Sequence, residues 1–131
     1  MEPDKLFKWA LFDREPMSTW GKGRVSLLGD ACHPTLPFMA QGAAMSIEDA
    51  AVLAACLENF DDVTPALQHY EELRKERTAG IQLGSRRNST MFHLPDDAAE
   101  ARNHAMKSSP GGPNTQLFGY NALTVVSDSL S

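Results

Sequence analysis

The sequence predicts an α/β fold with long C-terminal helices. A short apolar run, Arg24–Leu28, has the composition of a strand and stops at Gly29-Asp30. After a loop that contains two prolines, an alanine-rich stretch from residue 41 or 42 has apolar residues at helical spacing. A second, longer amphipathic stretch begins at Thr64. The order of strand, loop and helices is typical of α/β architecture.

Length and composition fit one ordinary globular domain. The chain has 131 residues, of which 42% are hydrophobic and 22% charged. Twelve basic and seventeen acidic residues give a net charge of −5, which argues against nucleic-acid binding through bulk charge. Two cysteines, Cys32 and Cys56, cannot form a disulfide framework and are expected as reduced, buried thiols. The longest apolar run, Ala50–Leu57, is too short for a membrane span, so we expect a cytoplasmic protein without membrane contact.

The first half of the chain predicts two strands and one helix. Aromatic and apolar residues favour a strand over Leu6–Phe12, followed by a loop over Asp13–Gly23 that is rich in glycine, serine and threonine. The near-continuous apolar run Arg24–Leu28 predicts a strand buried on both faces, as in a parallel sheet. The helix that starts at Gln41 or Gly42 is expected to end between Leu57 and Phe60.

The second half predicts further helices. Thr64 is expected as an N-cap with Pro65 at the first helical position, and this helix should reach Gly84 or resume through Met91-Phe92. A short polar helix is predicted over Asp96–Lys107. Residues 108–114 are expected to be flexible, and residues 117–120 form a small aromatic cluster.

Gly29-Asp30 is the candidate binding feature. Ligands in open α/β sheets bind beyond the carboxyl ends of strands, where an ionised carboxylate such as Asp30 can accept hydrogen bonds from a ribose. The first amides of the next helix are unpaired and favour an electron-rich group near Gly42–Met45. These residues predict a nucleotide-like ligand. The alternative is a simple strand–loop–helix corner in which Asp30 is a turn residue.

The series Gly29–Met45, followed by Glu48-Asp49-Ala50, resembles the second FAD-binding motif of the FAD-dependent aromatic-ring monooxygenase family. The likeness is greatest to salicylate hydroxylase and its relatives that act on hydroxybenzoates. Phe7–Arg14 looks like the last strand of that family's substrate domain. Gly84–Asn88 and Phe92–Pro95 look like its C-terminal helical part. The resemblance covers residues 5–95.

The resemblance implies a role for each matched residue. Asp30, after the turn at Gly29, would bind the FAD ribose, and Pro37 would lie beside the flavin with its carbonyl facing the substrate. Backbone amides would meet the pyrimidine edge of the flavin at Gln41, Gly42, Ala43, Ala44 and Met45. The implied reaction is NADH- or NADPH-dependent hydroxylation of an aromatic acid such as salicylate or a hydroxybenzoate. Cys32 and the Ala43-Ala44 pair depart from the wider pattern.

The resemblance also implies a part of the enzyme that these residues do not contain. The family's FAD site needs a strand–Gly-x-Gly-x-x-Gly–helix unit for the pyrophosphate, and this motif does not occur in the 131 residues. The chain is therefore expected as the C-terminal part of a Rossmann-like FAD-binding domain whose partner is the missing N-terminal part. By itself it should be inactive. The rival reading is a non-catalytic fragment or a regulatory binding piece.

The resemblance divides the chain into four segments. Residues 1–22 would end the substrate-domain sheet, 23–60 would form the FAD-binding strand–loop–helix, 61–107 the helical part, and 108–131 a flexible tail.

Other candidate residues are expected to be structural. The four histidines, His33, His69, His93 and His104, lack the spacing of a metal site, and His33 is expected to brace its loop. The basic side chains of the long helix are expected to be solvated: Arg74, Lys75, Arg77, Arg86 and Arg87.

Overall fold

The computed structural model describes residues 7–108 and 115–131. Within them the chain is mostly helical, with one small sheet. Strands β1 and β2 are followed by two 3-10 turns and five helices, which occupy Gly21–Lys22, Val25–Ser26, Gly29–Ala31, Pro37–Met39, Gly42–Asn59 (α1), Val63–Phe92 (α2), Asp96–Ser108 (α3), Thr115–Phe118 (α4) and Val125–Ser129 (α5). The α/β expectation is therefore met only in part.

The strand predicted over Leu6–Phe12 is wrong for the residues that the structure describes. Residues 7–12 have no regular secondary structure, and Phe7, Trp9 and Phe12 are each about four-fifths exposed. A strand needs the backbone of a neighbour to pair its amides and carbonyls. None of the described segments pairs with residues 7–12. These residues therefore do not form a strand, although their composition favours one.

The prediction of a buried parallel strand at Arg24–Leu28 is also wrong. β2 has only two residues and pairs antiparallel with β1, with Gly21 opposite Ser26 and Lys22 opposite Val25. Val25 is 69% exposed, so the strand does not have two buried faces. A short apolar run has the same composition in a hairpin arm as in a buried strand, which explains the error.

The predicted extent of α1 is confirmed. Its buried residues, Met45, Asp49, Val52 and Cys56, recur every three or four positions and form one face against α2. The same periodicity continues on α2, where Ala66, Tyr70, Arg74, Thr78, Ile81, Gln82 and Ser85 are buried. Both faces contain a buried charged residue, Asp49 on α1 and Arg74 on α2, which an apolar pattern alone does not reveal.

Helix α2 begins two positions earlier than expected. The carboxylate of Asp62 accepts a hydrogen bond of 3.2 Å from the amide of Thr64, so Asp62 is the N-cap and Val63 the first helical residue. Pro65 lies inside the first turn, where a missing amide hydrogen leaves no bond broken. The helix then continues through Gly84 to Phe92 without interruption.

The apolar core lies between α1, α2 and the segments that flank them. Trp20 is 4% exposed, and its ring lies 5.4 Å from that of His33 and 5.6 Å from that of Tyr70. Cys32 and Cys56 are free thiols buried in this core, as predicted. The other fully buried members of the core are Val52, Ala66 and Val126.

The C-terminal residues 115–131 differ from the expected flexible tail. They form α4 and α5, and Val126 packs into the core at 1% exposure. Helix α3 agrees with the predicted polar helix and ends at Ser108. The remainder of the predicted flexible segment, residues 109–114, lies outside the described residues. The predicted segment boundary between residues 22 and 23 falls inside the β1–β2 hairpin.

Candidate FAD site

Gly29 forms the tight turn that precedes Asp30. Its φ angle is +61°, and a Cβ at this position would lie 2.7 Å from the hydroxyl of Ser46 on α1. Both facts favour glycine, because residues with a side chain rarely adopt this backbone conformation and Ser46 leaves no space for a Cβ atom. The turn therefore packs directly on the second turn of α1. Asp30 follows in the 3-10 turn, and its side chain is exposed to solvent.

The buried carboxylate of Asp49 connects this turn to both long helices. It accepts a hydrogen bond of 3.0 Å from the Gly29 amide, and the Nε2 atom of His33 lies 2.6 Å from the same oxygen. Its other oxygen accepts a 2.8 Å bond from Nε of Arg74. His33 thus braces the loop, as expected. Burial opposes ionisation of Asp49, but the bonds from His33 and Arg74 overcome it and lower the pKa of this carboxyl.

Glu48 extends the network to a second arginine. Its carboxylate lies 2.8 Å from Arg74 and receives two bonds, of 2.9 and 2.7 Å, from Arg77. Burial acts against ionisation of Glu48, but the hydrogen bonds from Arg77 and Arg74 outweigh it and lower its pKa. The ring of Tyr120 lies against both guanidinium groups, at 5.0 and 4.1 Å, as cation–π contacts require.

The expectation of a solvated basic face is wrong for two of its five residues. Arg74 is completely buried and the side chain of Arg77 is only 12% exposed. Each lies opposite the acidic pair of α1, which compensates the charge that burial would otherwise destabilise. The side chain of Arg86 remains 28% exposed beside Asp13 and Glu15.

Sequence reasoning missed this network, although two signals were present. Glu48-Asp49 belongs to the series that carries the family resemblance, but it received no role. Arg74 falls on the buried stripe of α2 that begins at Ala66 and Tyr70. A charged residue on a buried stripe needs a charged partner, and the acidic pair on the buried side of the preceding helix was the candidate.

The N-terminus of α1 presents unpaired backbone donors. Gln41 provides no side-chain cap, and no acidic residue lies in the first turn. In the described parts of the chain, no group accepts a hydrogen bond from the amides of Gly42, Ala43 or Ala44. The amide of Met45, in contrast, donates to the Gln41 carbonyl at 2.8 Å, and the Met45 side chain is buried. The amide of Met45 is thus already bonded within the helix, and the expected contact of Met45 with the flavin stays a prediction.

Pro37 lies in a loop that runs along α2. It begins the 3-10 turn Pro37–Met39, and its side chain is exposed. Its carbonyl accepts a 3.0 Å bond from the amide of Ala40, which leaves one lone pair of that oxygen for another donor. Ala40 adopts a left-handed conformation, with φ of 52°, immediately before α1. This residue ends the 3-10 turn, one position before the N-cap of α1.

One cluster has the composition of a metal site but is already occupied by protein groups. Ligand atoms of Cys32, His33 and Asp49 lie within 4.8 Å of one another. The Asp49 oxygens already accept bonds from Gly29, His33 and Arg74. Burial, with Asp49 nearby, raises the pKa of the Cys32 thiol to about 12, so the thiol keeps its proton near neutral pH. The Asp49 oxygens and the Nε2 atom of His33 are thus already bonded within the protein.

The arrangement fits one side of a dinucleotide site. An exposed carboxylate at Asp30 can accept bonds from sugar hydroxyls. The unpaired amides of α1 provide donors and a positive helix end for an electron-rich group. The Gly29 turn fixes the first feature relative to the second, because it contacts α1 at Ser46.

Comparison with known proteins shows the class of protein to which the chain belongs, an FAD-binding family. Residues 4–82 match the family described as FAD binding domain. The match covers more than half of the chain, so the chain belongs to this family. The expected cofactor, FAD, is confirmed for the family.

Individual relatives are aromatic-ring monooxygenases. The chain is 51% identical over 94 residues to a 3-amino-4-hydroxybenzoate 2-monooxygenase of Streptomyces platensis, which covers 71% of the chain and 24% of the relative. It is 47% identical over 100 residues to 3-hydroxybenzoate 6-hydroxylase 1 of Aquipseudomonas alcaligenes. This match covers 76% of the chain and 25% of that relative. A salicylate hydroxylase solved with its substrate has a TM-score of 0.72 and 29% identity, covering 91% of this chain and 30% of that one.

The expected resemblance to hydroxybenzoate and salicylate hydroxylases is thereby confirmed. The chain spans only about a quarter of the length of these curated relatives. The observed architecture is accordingly a fragment of the FAD-binding fold. In the described parts of the chain, no helix is both long enough and apolar enough to cross a membrane.

Proposed function

We propose that this chain forms the ribose- and flavin-contacting part of an NAD(P)H-dependent monooxygenase that hydroxylates an aromatic acid such as salicylate or a hydroxybenzoate. The observation that carries the proposal is the connection between two features. The turn that presents Asp30 is bonded through Gly29 to Asp49 of α1, and the same helix presents unpaired amides at its start. This connection sets a carboxylate and a group of amides at a fixed separation.

Each residue has a defined task in this proposal. Asp30 accepts hydrogen bonds from the ribose of FAD. The amides of Gly42, Ala43 and Ala44 donate to the electron-rich edge of the flavin and stabilise negative charge there. Pro37 lies beside the flavin ring, with its carbonyl facing the substrate. FAD, when bound, supplies the redox chemistry that uses NAD(P)H and oxygen.

The surface of α1 supports a partner that completes the site. Small or apolar side chains form an exposed stripe at helical spacing: Ala43, Ile47, Ala50, Ala54 and Leu57. Ile47 is 71% exposed and Leu57 is 44% exposed. Exposed contiguous apolar faces mark interaction sites. We propose that the remaining part of a Rossmann-like FAD-binding domain, which contains the pyrophosphate-binding unit, covers this stripe.

A second candidate is a non-catalytic fragment or regulatory piece. The exposed aromatic segment at residues 7–12, which pairs with no described segment, supports it. The two candidates differ in one property, because only the first requires that these residues contribute to FAD binding.

A chimeric enzyme tests the contribution to FAD binding. Residues 1–131 replace the matching segment of the 3-hydroxybenzoate 6-hydroxylase of Aquipseudomonas alcaligenes, and equilibrium dialysis gives the FAD dissociation constant. Asp30→Ala should raise that constant by about 10–100-fold, because a charge-assisted hydrogen bond contributes about 1.5–3 kcal/mol. Asp61→Ala, which removes an equally exposed carboxylate, is the matched control. An Asp30→Ala chimera with the dissociation constant of its parent would contradict the assigned role.

The chain alone should not hydroxylate an aromatic acid. The purified 131 residues are incubated with FAD, NADH or NADPH, and salicylate, and both cofactor oxidation and product are followed. We expect neither, because the pyrophosphate-binding motif is absent from these residues. Substrate-dependent product formation would contradict the proposal that a further part of the enzyme is needed.

A further inference from the structure

Three polar side chains of α2 donate to three carbonyls of the loop that contains Pro37. Gln82 donates to the Pro34 carbonyl at 3.0 Å, and Asn88 donates to the Phe38 carbonyl at 3.0 Å. Between them, the Ser85 hydroxyl donates to the Leu36 carbonyl at 2.5 Å. We call residues 34–38 the proline loop and these three side chains, Gln82, Ser85 and Asn88, the donor row.

The donor row has a regular spacing that matches the loop. Its members are three residues apart on α2 and therefore lie on one face of the helix. Their acceptors are two residues apart along the loop: Pro34 and Leu36 precede the 3-10 turn, and Phe38 lies within it. Ser85 and Asn88 thus bind the carbonyls of the two residues on either side of Pro37. The side chain of Pro37 itself is exposed.

Packing at the end of the loop reinforces the arrangement. A Cβ on Gly84 would lie 2.7 Å from the sulfur of Met39, so glycine allows α2 to approach the loop closely. The ring of Phe38 lies 6.1 Å from that of Phe92 and 5.7 Å from that of His93, in edge-on contacts. Gln82 and Ser85 are essentially unexposed, so water does not compete for these hydrogen bonds.

We infer that the donor row consists of positioning residues, which fix the proline loop and thereby determine how closely an aromatic acid fits against Pro37. The second half of this inference rests on the proposed function. The first half concerns the chain alone. The donor row is separate from the Asp49 network, which is bonded to the Gly29 turn and not to the proline loop.

Hydrogen exchange of the 131-residue chain tests the first half. The amides of His33 and Ala40 flank the loop and are hydrogen-bonded to Gly29 and Pro37, so their exchange reports local opening. In a Ser85→Ala, Asn88→Ala double variant these amides should exchange about tenfold faster, since each neutral bond changes a local equilibrium by roughly 2- to 10-fold. Amides in the middle of α1 should be unaffected. Unchanged exchange at His33 and Ala40 would overturn the inference.

A matched control comes from the same helix. Ser89 lies one position beyond Asn88, and its hydroxyl has no partner among the described residues. Ser89→Ala should leave loop exchange at the parental rate, and equal acceleration in this variant would overturn the assignment. If the double variant does not fold, Asn88→Ala alone provides the comparison, because its side chain is only partly buried.

The chimera tests the second half. With FAD bound, the dissociation constant for 3-hydroxybenzoate should rise about tenfold in the double variant, while that for FAD stays within about twofold of the parent. A purely structural defect would weaken both. Failure of the parent chimera to retain FAD would reject the proposed function and leave the exchange result to decide on the loop. Parental 3-hydroxybenzoate binding by an FAD-loaded double variant would overturn the positioning role alone.

Discussion

The Nε atom of Arg74 lies 2.8 Å from the Oδ1 atom of Asp49, and both side chains are completely buried. This pair joins the middle of α2 to the first half of α1. Desolvation of two charges opposes their attraction, so a buried pair adds little net stability. Loss of one partner, in contrast, leaves an uncompensated charge in the interior, which is strongly destabilising.

Removal of Arg74 alone should show the cost of an uncompensated buried charge. Arg74→Met keeps the volume of the side chain but leaves the Asp49 carboxylate without its arginine. We expect the free energy of unfolding to fall by about 3–5 kcal/mol, measured by urea denaturation. Arg24 and Asp62 form an exposed pair at 4.0 Å, so Arg24→Ala should change stability by less than about 1 kcal/mol. Similar losses in the two variants would contradict the account.

The same network should make stability depend on acid pH. The pKa values of Glu48 and Asp49 lie below their ordinary values of 4.5 and 3.8. The unfolded state therefore binds protons at these groups more readily than the folded state. Their contribution to stability is complete above about pH 4.5 and is lost as pH falls through the folded pKa values. Urea titrations between about pH 7 and pH 3 should show this decline, and a constant unfolding free energy below about pH 4 would refute it.

The Gly29 turn can be tested against another turn in the chain. Gly23 and Gly29 both have a φ angle of +61°, but a Cβ on Gly23 would have no atom within 4 Å. Gly23→Ala should lower the free energy of unfolding by about 1 kcal/mol, the cost of the left-handed conformation. Gly29→Ala should lose about 1–3 kcal/mol more, because the methyl group collides with Ser46. Equal unfolding midpoints would show that the contact with α1 is unimportant.

Two helical glycines of α2 provide a similar comparison. A Cβ on Gly80 would have no close neighbour, whereas on Gly84 it would lie 2.7 Å from the Met39 sulfur. Gly80→Ala should therefore raise the unfolding free energy by about 0.5–1 kcal/mol through helix propensity. Gly84→Ala should not show this gain, because the Met39 side chain has to move. Thermal unfolding followed by circular dichroism measures both, and equal stabilisation would contradict the close approach.

Both thiols should be unreactive in the folded chain. Cys32 and Cys56 are completely buried. Burial raises the pKa of Cys32 to about 12 and that of Cys56 to about 11, so little thiolate exists near neutral pH. A chromogenic disulfide reagent should detect no thiol in the native chain and both thiols after unfolding in urea. Immediate release of colour from the native protein would contradict the burial of the thiols.

Helices were more predictable from this sequence than strands. The extent of α1 follows from local features, since its apolar periodicity and the signals at its ends lie within the segment itself. The strand expected at Leu6–Phe12 depends on a partner, and no described segment provides one. Composition records the preference of a segment for a sheet but not whether the sheet is present.

The candidate site was predictable at the backbone level and not in its supporting contacts. The turn at Gly29 and the start of α1 follow from local signals in the sequence, whereas the role of Asp30 and of the α1 amides in binding FAD stays a prediction. Arg74 lies 25 residues after Asp49, and its charge on a buried stripe indicates that it needs an acidic partner but does not establish the contact with Asp49. Local propensity does not determine such pairs, because they form through tertiary packing.

One tryptophan is buried and the other is exposed, so the intrinsic fluorescence of the chain can report on both environments. Trp20 is 4% exposed and contacts His33, a member of the Asp49 network, whereas Trp9 is 83% exposed in the N-terminal segment. Emission from Trp20 should lie at shorter wavelengths and respond to the helix pair. Emission from Trp9 should be accessible to iodide quenching until another polypeptide covers it. The emission wavelength of Trp20 therefore reports whether the helix pair is folded, and iodide quenching of Trp9 reports whether another polypeptide covers the N-terminal segment.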